Sequence, residues 1–304
     1  MVAPCKIPDN TKVGLPVLRV RNVETVLAFY ENNLGLQVNR EYKDDEDHTP
    51  IYELGFKGNV SSSYEPLLIL KHAPISKKPL LHSAGLYHFA ILVPDRKSLA
   101  STYLALKNSH VHYEGFADHL VSESLYLRDP ENNGIEIYRD RPANEWIRDV
   151  EGHIMMDTLP LDLNSLLAEM NNDKEQINSA KAFPSGARIG HLHLRVTNIE
   201  RSIEFYHQKI GLNITLDWSS MGAAFLSAGG YHHHIGMNTW HSLNGEAHTN
   251  GEAGLEKFTI TIPNKSFVNA LALRVSSSTN YKQVSENQLL VSDPDGIQFT
   301  IRSQ

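Results

Sequence analysis

Cysteine is almost missing from this chain. Cys5 stands alone among 304 residues, so no intrachain disulfide can form and a disulfide-held scaffold is excluded. No run approaches the ~18 apolar residues that a membrane-spanning helix needs. A basic excess is missing too: 28 Lys and Arg stand against 35 Asp and Glu, for a net charge of −7. Proteins that bind nucleic acid carry the opposite balance. Residues 1–12 are polar, broken by Pro4 and Pro8, and lack the apolar stretch of a secretory signal. These absences together predict a cytoplasmic protein with neither membrane nor nucleic acid among its partners. What the chain does have is length and histidine. At 41% hydrophobic residues it can bury a sizeable core in about two domains. Its 16 histidines are the notable count, because imidazole is the commonest metal ligand and a proton carrier near neutral pH.

The sequence repeats itself. Leu18-Arg19-Val20-Arg21-Asn22-Val23-Glu24 returns as Leu194-Arg195-Val196-Thr197-Asn198-Ile199-Glu200, and Phe29-Tyr30 returns as Phe205-Tyr206. A weaker echo lies inside each half. His88 to Asp95 and Lys257 to Asn264 are apolar strands that end on a capping residue, and each half closes on Asp-Pro and a last strand: Asp129-Pro130 with Gly134-Ile135-Glu136, and Asp293-Pro294 with Gly296-Ile297-Gln298. Four modules follow, each reading strand, helix, three strands. Asn22, Asp95, Asn198 and Asn264 are suited to accept from free helix N–H groups. Val23, Val26, Leu27, Tyr30 and Leu34 give the first helix one apolar face. The fold class predicted is α+β: four βαβββ modules in two open, barrel-like half-domains. The layout is a tail (1–13), modules one and two (14–138), a linker with a short helix near 162–170 (139–188), and modules three and four (189–304). The polar run 171–179 reads as surface linker.

Matching positions in the modules carry different chemistry. Seven residues before each helix cap stand Leu15, His88, His191 and Lys257; on the last strand stand Glu136 in module two and Gln298 in module four. Glutamine lacks the anionic oxygen that a divalent metal prefers. Modules two and three therefore keep metal-capable residues. Two His and one carboxylate with open positions form the facial triad of non-haem Fe(II) oxygenases. A single histidine on an apolar strand is usually a packed core residue, but matched histidines in two modules plus a carboxylate are hard to explain by packing, because a buried unpaired carboxylate is costly.

Asp118-His119-Leu120-Val121-Ser122, Leu125-Tyr126-Leu127-Arg128-Asp129-Pro130 and Ile135-Glu136-Ile137-Tyr138 resemble the signature of extradiol ring-cleavage dioxygenases of the vicinal-oxygen-chelate superfamily. Gly85-Leu86-Tyr87-His88-Phe89-Ala90 and Gly229-Gly230-Tyr231-His232-His233-His234-Ile235-Gly236 resemble the bacterial catechol 2,3-dioxygenase-like branch. The likeness implies metal ligands His88, Glu136 and His191, binding Fe(II) or Mn(II), with O2 as co-substrate and a small aromatic diol as substrate. It implies that His119 hydrogen-bonds the substrate, that Tyr126 lies against the ring, and that His233 serves as acid and base. His193 and His234 are candidate substrate contacts, with a plain strand histidine as the equal alternative for His193. Two departures stand out: His119 to Tyr126 spans only seven residues, and Asn132 replaces the usual Gly after Asp-Pro-x. The register of His232–His234 is open by one residue; strand alternation would set His233 on one face and its neighbours on the other.

Because the ligands sit in modules two and three, those two are expected to pair around the metal, with one and four as an inert scaffold. Two alternatives use the same fold. A glyoxalase-type lyase or isomerase would need no O2 and would recruit His232 or His234 as a fourth ligand, with Zn, Ni or Co. A binding protein would hold a small aromatic without turnover. His82, His110, His112 and His207 read as solvated; His241 and His248 adjoin a polar loop, 244–254, with the character of a lid or a plain exposed turn. The three tryptophans, 146, 218 and 240, read as core or pocket rim. Homo-oligomerisation through open sheet edges is left open.

Overall fold

The computed structural model describes residues 6–45, 47–56, 66–80, 82–170, 183–184, 186–275 and 281–303. The run 171–179 lies outside them. The chain divides into two compact units, each assembled from segments that are not continuous in sequence. The first comprises Met1–Arg19, Ile75–Tyr87 and Gly190–Gln304; the second comprises Val20–Pro74 and His88–Ile189.

The first unit holds most of modules three and four. Strands β10 (Arg188–Arg195) and β13 (Ile235–Asn238) run parallel, and β12 (Ala223–Ser227) and β11 (Asn213–Trp218) follow antiparallel. In its other ladder β14 (Gly254–Ile262) is parallel to β17 (Gln298–Ser303), which β16 (Gln288–Ser292) and β15 (Tyr281–Ser285) extend. Strand β1 (Lys12–Val20) pairs antiparallel with β14, so the first strand of module one lies beside the first strand of module four. Lys257 and Gln298 are partners across β14 and β17, an ammonium and an amide where module two places an imidazole and a carboxylate. The helices are α4 (Ile199–Glu204), continued by a π-helical turn at Phe205–Ile210, and α5 (Lys265–Val275).

The second unit holds β2 (Gln37–Lys43), β3 (Pro50–Gly55) and β4 (Leu68–His72) as an antiparallel run with α1 (Val23–Asn32). Its larger ladder sets β5 (Gly85–Leu92) parallel to β8 (Gly134–Asp140), then β7 (Ser122–Arg128), β6 (Tyr113–Asp118) and β9 (Leu159–Pro160), all antiparallel. Helices α2 (Arg96–Asn108) and α3 (Leu163–Ala168) complete it. Each module is thus strand, helix, three strands, as the repeat predicts. No helix among the described residues is long and apolar enough to cross a membrane.

The caps work as read. Asn22, Asp95 and Asn198 accept from the backbone N–H of Thr25, Ser98 and Arg201 at 3.1, 2.7 and 2.8 Å. Asn264 accepts from Phe267 at 3.1 Å and Asp162 from Ser165 at 3.0 Å. Each such bond satisfies a donor that the first helical turn leaves over. The Asp-Pro loops are locked just as locally. Asp129 takes the N–H groups of Glu131 and Asn133, and Asp293 those of Asp295 and Ile297, all at 2.9 Å. The turns need a left-handed residue, Asn132 (φ +71°) in one and Gly296 (φ +81°) in the other. Asparagine tolerates that conformation better than other side-chain-bearing residues, so Asn132 can stand where Gly is usual.

Both aspartates also meet a helix tyrosine. Tyr30 donates to Asp129 at 3.2 Å and Tyr206 to Asp293 at 3.0 Å. Burial, then the charge of Asp295, lifts the Asp293 carboxyl to about 7 from an ordinary 3.8, although hydrogen bonds from Ile297, Tyr206 and Asp295 oppose the rise. Between those values the folded state holds a proton that the unfolded chain has released, so stability falls as pH rises from 4 toward 7. Asp293→Asn, whose amide stays neutral, is expected to raise the urea midpoint at pH 8 while leaving it near the wild-type value at pH 4. An equal shift at both pH values would contradict this origin.

Candidate metal centre

In the second unit, three strands aim side chains at one spot. His88 on β5 and Glu136 on β8 are buried, with His88 Nε2 2.9 Å from Glu136 Oε2. The other carboxylate oxygen, Oε1, accepts from the Ser124 hydroxyl at 2.6 Å. Ser124 and Tyr126 share one face of β7, and Tyr126 is the ladder partner of Glu136. The Tyr126 ring lies 5.7 Å from that of His88, and its hydroxyl is 2.7 Å from His119 Nε2. His119 sits in the β6–β7 turn, followed by Leu120 at φ +67°, a strained conformation for a bulky residue. Thus His88, Glu136, Tyr126 and His119 are brought together within one unit.

The other four expected residues, His191, His193, His233 and His234, gather in the first unit beside His232, and all five are buried. His191 and His193 project from one face of β10. The His233 ring stands 4.1 Å from that of His191, and His232 Nδ1 is at hydrogen-bond distance from His233 Nδ1, 2.7 Å. Asn238 accepts from the Trp240 backbone N–H through Oδ1 at 3.3 Å, which turns its amide nitrogen toward His193 Nε2 at 3.0 Å. That nitrogen of His193 is therefore the acceptor, and the neutral ring carries its proton on Nδ1. His234 Nδ1 accepts from the Ala228 N–H at 3.2 Å and lies 2.8 Å from the Ser227 hydroxyl.

One expectation needs correcting. His232, His233 and His234 are not in a strand, so alternation does not sort their faces. The chain turns at Gly229 and Gly230 (φ +69° and +135°), and pairing resumes only at Ile235. A Cβ on Gly229 would stand 2.3 Å from the Asp9 carbonyl oxygen, so a side chain at this turn would clash with the Asp9 backbone. All three rings reach the interior from a bend. Lesser corrections concern His207, which is half-buried with Nδ1 2.7 Å from the Leu212 carbonyl, and the 244–254 loop. There His248 is half-buried, its backbone N–H donates to the Asp295 backbone carbonyl at 2.8 Å, and burial lowers the pKa of its ring. Trp146 is buried, donating to the Arg141 carbonyl at 2.9 Å, whereas Trp240 is 51% exposed.

Sequence reading missed Ser124, Asn238 and Gly236. Ser124 had a signal, two residues before Tyr126 on the same strand face. Gly236 is the ladder partner of His193 across β10 and β13. A Cβ there would lie 2.9 Å from His193 Nδ1 and 3.0 Å from its Cγ, so only glycine leaves room for the ring. Gly236→Ala is expected to cost the ~1–3 kcal/mol typical of overpacking. It should lower the urea midpoint without changing the denaturant slope; an unchanged midpoint would show that the ring has room to move.

Comparison with known proteins shows the family of the chain. Residues 12–137 and 188–301 match the model of the Glyoxalase/Bleomycin resistance protein/Dioxygenase superfamily. A catechol-2,3-dioxygenase of Bacillus subtilis (strain 168) is 36% identical over 289 residues, covering 95% of each chain. Among solved structures, one from Bacillus subtilis superposes with a TM-score of 0.66 at 12% identity, covering 98% of this chain and 86% of that one. Glyoxalase I of Zea mays gives 0.56 at 16%, covering 97% and 92%. At such identities the solved structures speak for the fold alone.

Proposed function

Because the chain belongs to the Glyoxalase/Bleomycin resistance protein/Dioxygenase superfamily, we propose that it is an extradiol dioxygenase: it opens a catechol-type ring beside one hydroxyl and places both atoms of O2 in the product. The observation that carries this reading is the buried His88–Glu136 pair in a chain similar over nearly its whole length to a catechol-2,3-dioxygenase. Three buried residues, His88, Glu136 and His191, offer the two-imidazole, one-carboxylate donor set that suits Fe(II) or Mn(II). The spacing of the first two fits. Donors at right angles on one octahedral cation, each about 2.1 Å from it, are about 3.0 Å apart, and His88 Nε2 and Glu136 Oε2 are 2.9 Å apart.

When bound, the cation supplies Lewis acidity toward the diol and open positions for two reactants. The remaining work falls to the protein. Ser124 holds Oε1 of Glu136 and so leaves Oε2 for the cation. His119 and Tyr126 form a hydrogen-bonded pair able to accept a hydroxyl proton from the substrate. His233, tied to His232, serves as the acid and base on the O2 side. His193 and His234 line the substrate, each fixed by a neighbour, Asn238 and Ser227 respectively. Pairing of modules two and three around the cation is part of the same proposal.

The test is direct. Protein loaded anaerobically with Fe(II) and given catechol should stay colourless, then turn yellow on admission of O2, with one O2 consumed per ring opened and both labelled oxygens in the product. Turnover without O2 would overturn the reading.

A further inference from the structure

The stretch between the sequence repeats reads as a connection, yet part of it is built into the site. Strand β9 pairs with β6 through Ala117↔Pro160 and Asp118↔Leu159. This pairing brings the Asp157 backbone to His119. The Asp157 carbonyl oxygen is 2.7 Å from His119 Nδ1, and the Asp157 N–H reaches back to the His119 carbonyl at 3.5 Å. On the other side Arg141 holds Asp118 at 2.6 Å, and Asp118 Oδ1 accepts from the Leu120 N–H at 2.9 Å, securing the strained turn.

A carbonyl oxygen can only accept, so His119 carries its proton on Nδ1. In that tautomer the ring offers a lone pair at Nε2, 2.7 Å from the Tyr126 hydroxyl, which donates into it. The direction of the whole relay is fixed from its outer end: Tyr126 O–H to His119 Nε2, and His119 Nδ1–H to Asp157.

We infer that the Asp157 carbonyl and β9 are a positioning element of the active site, one that sets the tautomer of His119 and so makes the His119–Tyr126 pair a proton acceptor. The inference rests on the ring-cleavage reading for its substrate. In the step it describes, a substrate hydroxyl gives its proton to the Tyr126 oxygen while the proton of Tyr126 passes to His119 Nε2. The substrate is left anionic and His119 an imidazolium, whose Nδ1–H stays bonded to Asp157. Nothing is oxidised in this step. Had His119 the opposite tautomer, its Nε2–H would point at Tyr126 and the pair could take no proton.

The deciding measurement is the side-chain 1H–15N spectrum of His119 in wild-type protein at pH 8, without substrate. The Nδ1–H tautomer is expected; a dominant Nε2–H form would overturn the inference. Leu159→Pro deletes the β9 N–H while changing an exposed side chain. It should give mixed tautomers and a kcat lower by about tenfold, the size seen when an orienting partner is lost, with KM within about twofold and metal content intact. Leu159→Val, which keeps the N–H, should restore the Nδ1–H signal. A Leu159→Pro protein with wild-type tautomer and kcat would also overturn it. If that variant does not fold, the wild-type spectrum still decides. Failure of the ring-cleavage reading shows separately, as absent O2 uptake beside an unchanged tautomer.

Discussion

Glu136→Gln should lose its divalent metal and its ring-cleaving activity together. The substitution keeps the volume of a buried side chain, and the amide oxygen can still accept from Ser124, which now bonds Glu136 Oε1 at 2.6 Å. The fold is therefore expected to survive with its circular dichroism unchanged. What disappears is the anionic oxygen beside His88 Nε2. A neutral amide is a poor ligand for a hard divalent cation. Loss of an orienting partner alone typically costs 10–100-fold in affinity, so loss of a ligand should exceed about a hundredfold. Metal content by mass spectrometry and O2 uptake should fall in parallel. A variant that kept one equivalent of metal would move the carboxylate out of the coordination sphere.

His233→Gln is expected to separate the two properties that Glu136→Gln loses together. His233 is buried in the bend, with its ring 4.1 Å from that of His191 and 5.1 Å from Phe225. Glutamine fills much of that volume and can still bond His232, but it cannot exchange a proton near neutral pH. A positioned acid or base typically contributes 10²–10⁴-fold, so kcat should fall by about that factor while metal content stays at the wild-type value. Loss of the metal as well would make His233 a ligand, and the roles given to it and to His191 would need to be exchanged.

The parts of this molecule that were legible in its sequence are those written in local periodicity. Helix caps at Asn22, Asp95, Asn198 and Asn264, and the paired Asp-Pro loops at 129 and 293, act through hydrogen bonds within a few residues of themselves. The four-module plan followed from them. The His88–Glu136 contact was legible because repeat equivalence carried strand position from one module to another. What failed was alternation across His232–His234, because a period of two presupposes an extended chain, and the turn at Gly229 and Gly230 keeps this one out of the ladder until Ile235. Gly236 was invisible because its constraint comes from His193 on a neighbouring strand. Strand β9 is two residues long, too short for any periodic signal, and Asp157 acts through a backbone carbonyl that every residue type shares.

In the proposed site His88, Glu136 and His191 hold one divalent cation. Pulsed electron paramagnetic resonance on Mn(II)-loaded wild-type protein counts the imidazole nitrogens bound to that ion. Two are expected, with a single one left in His88→Ala and likewise in His191→Ala. A count of two that survives removal of His191, or no bound nitrogen at all, would contradict the account.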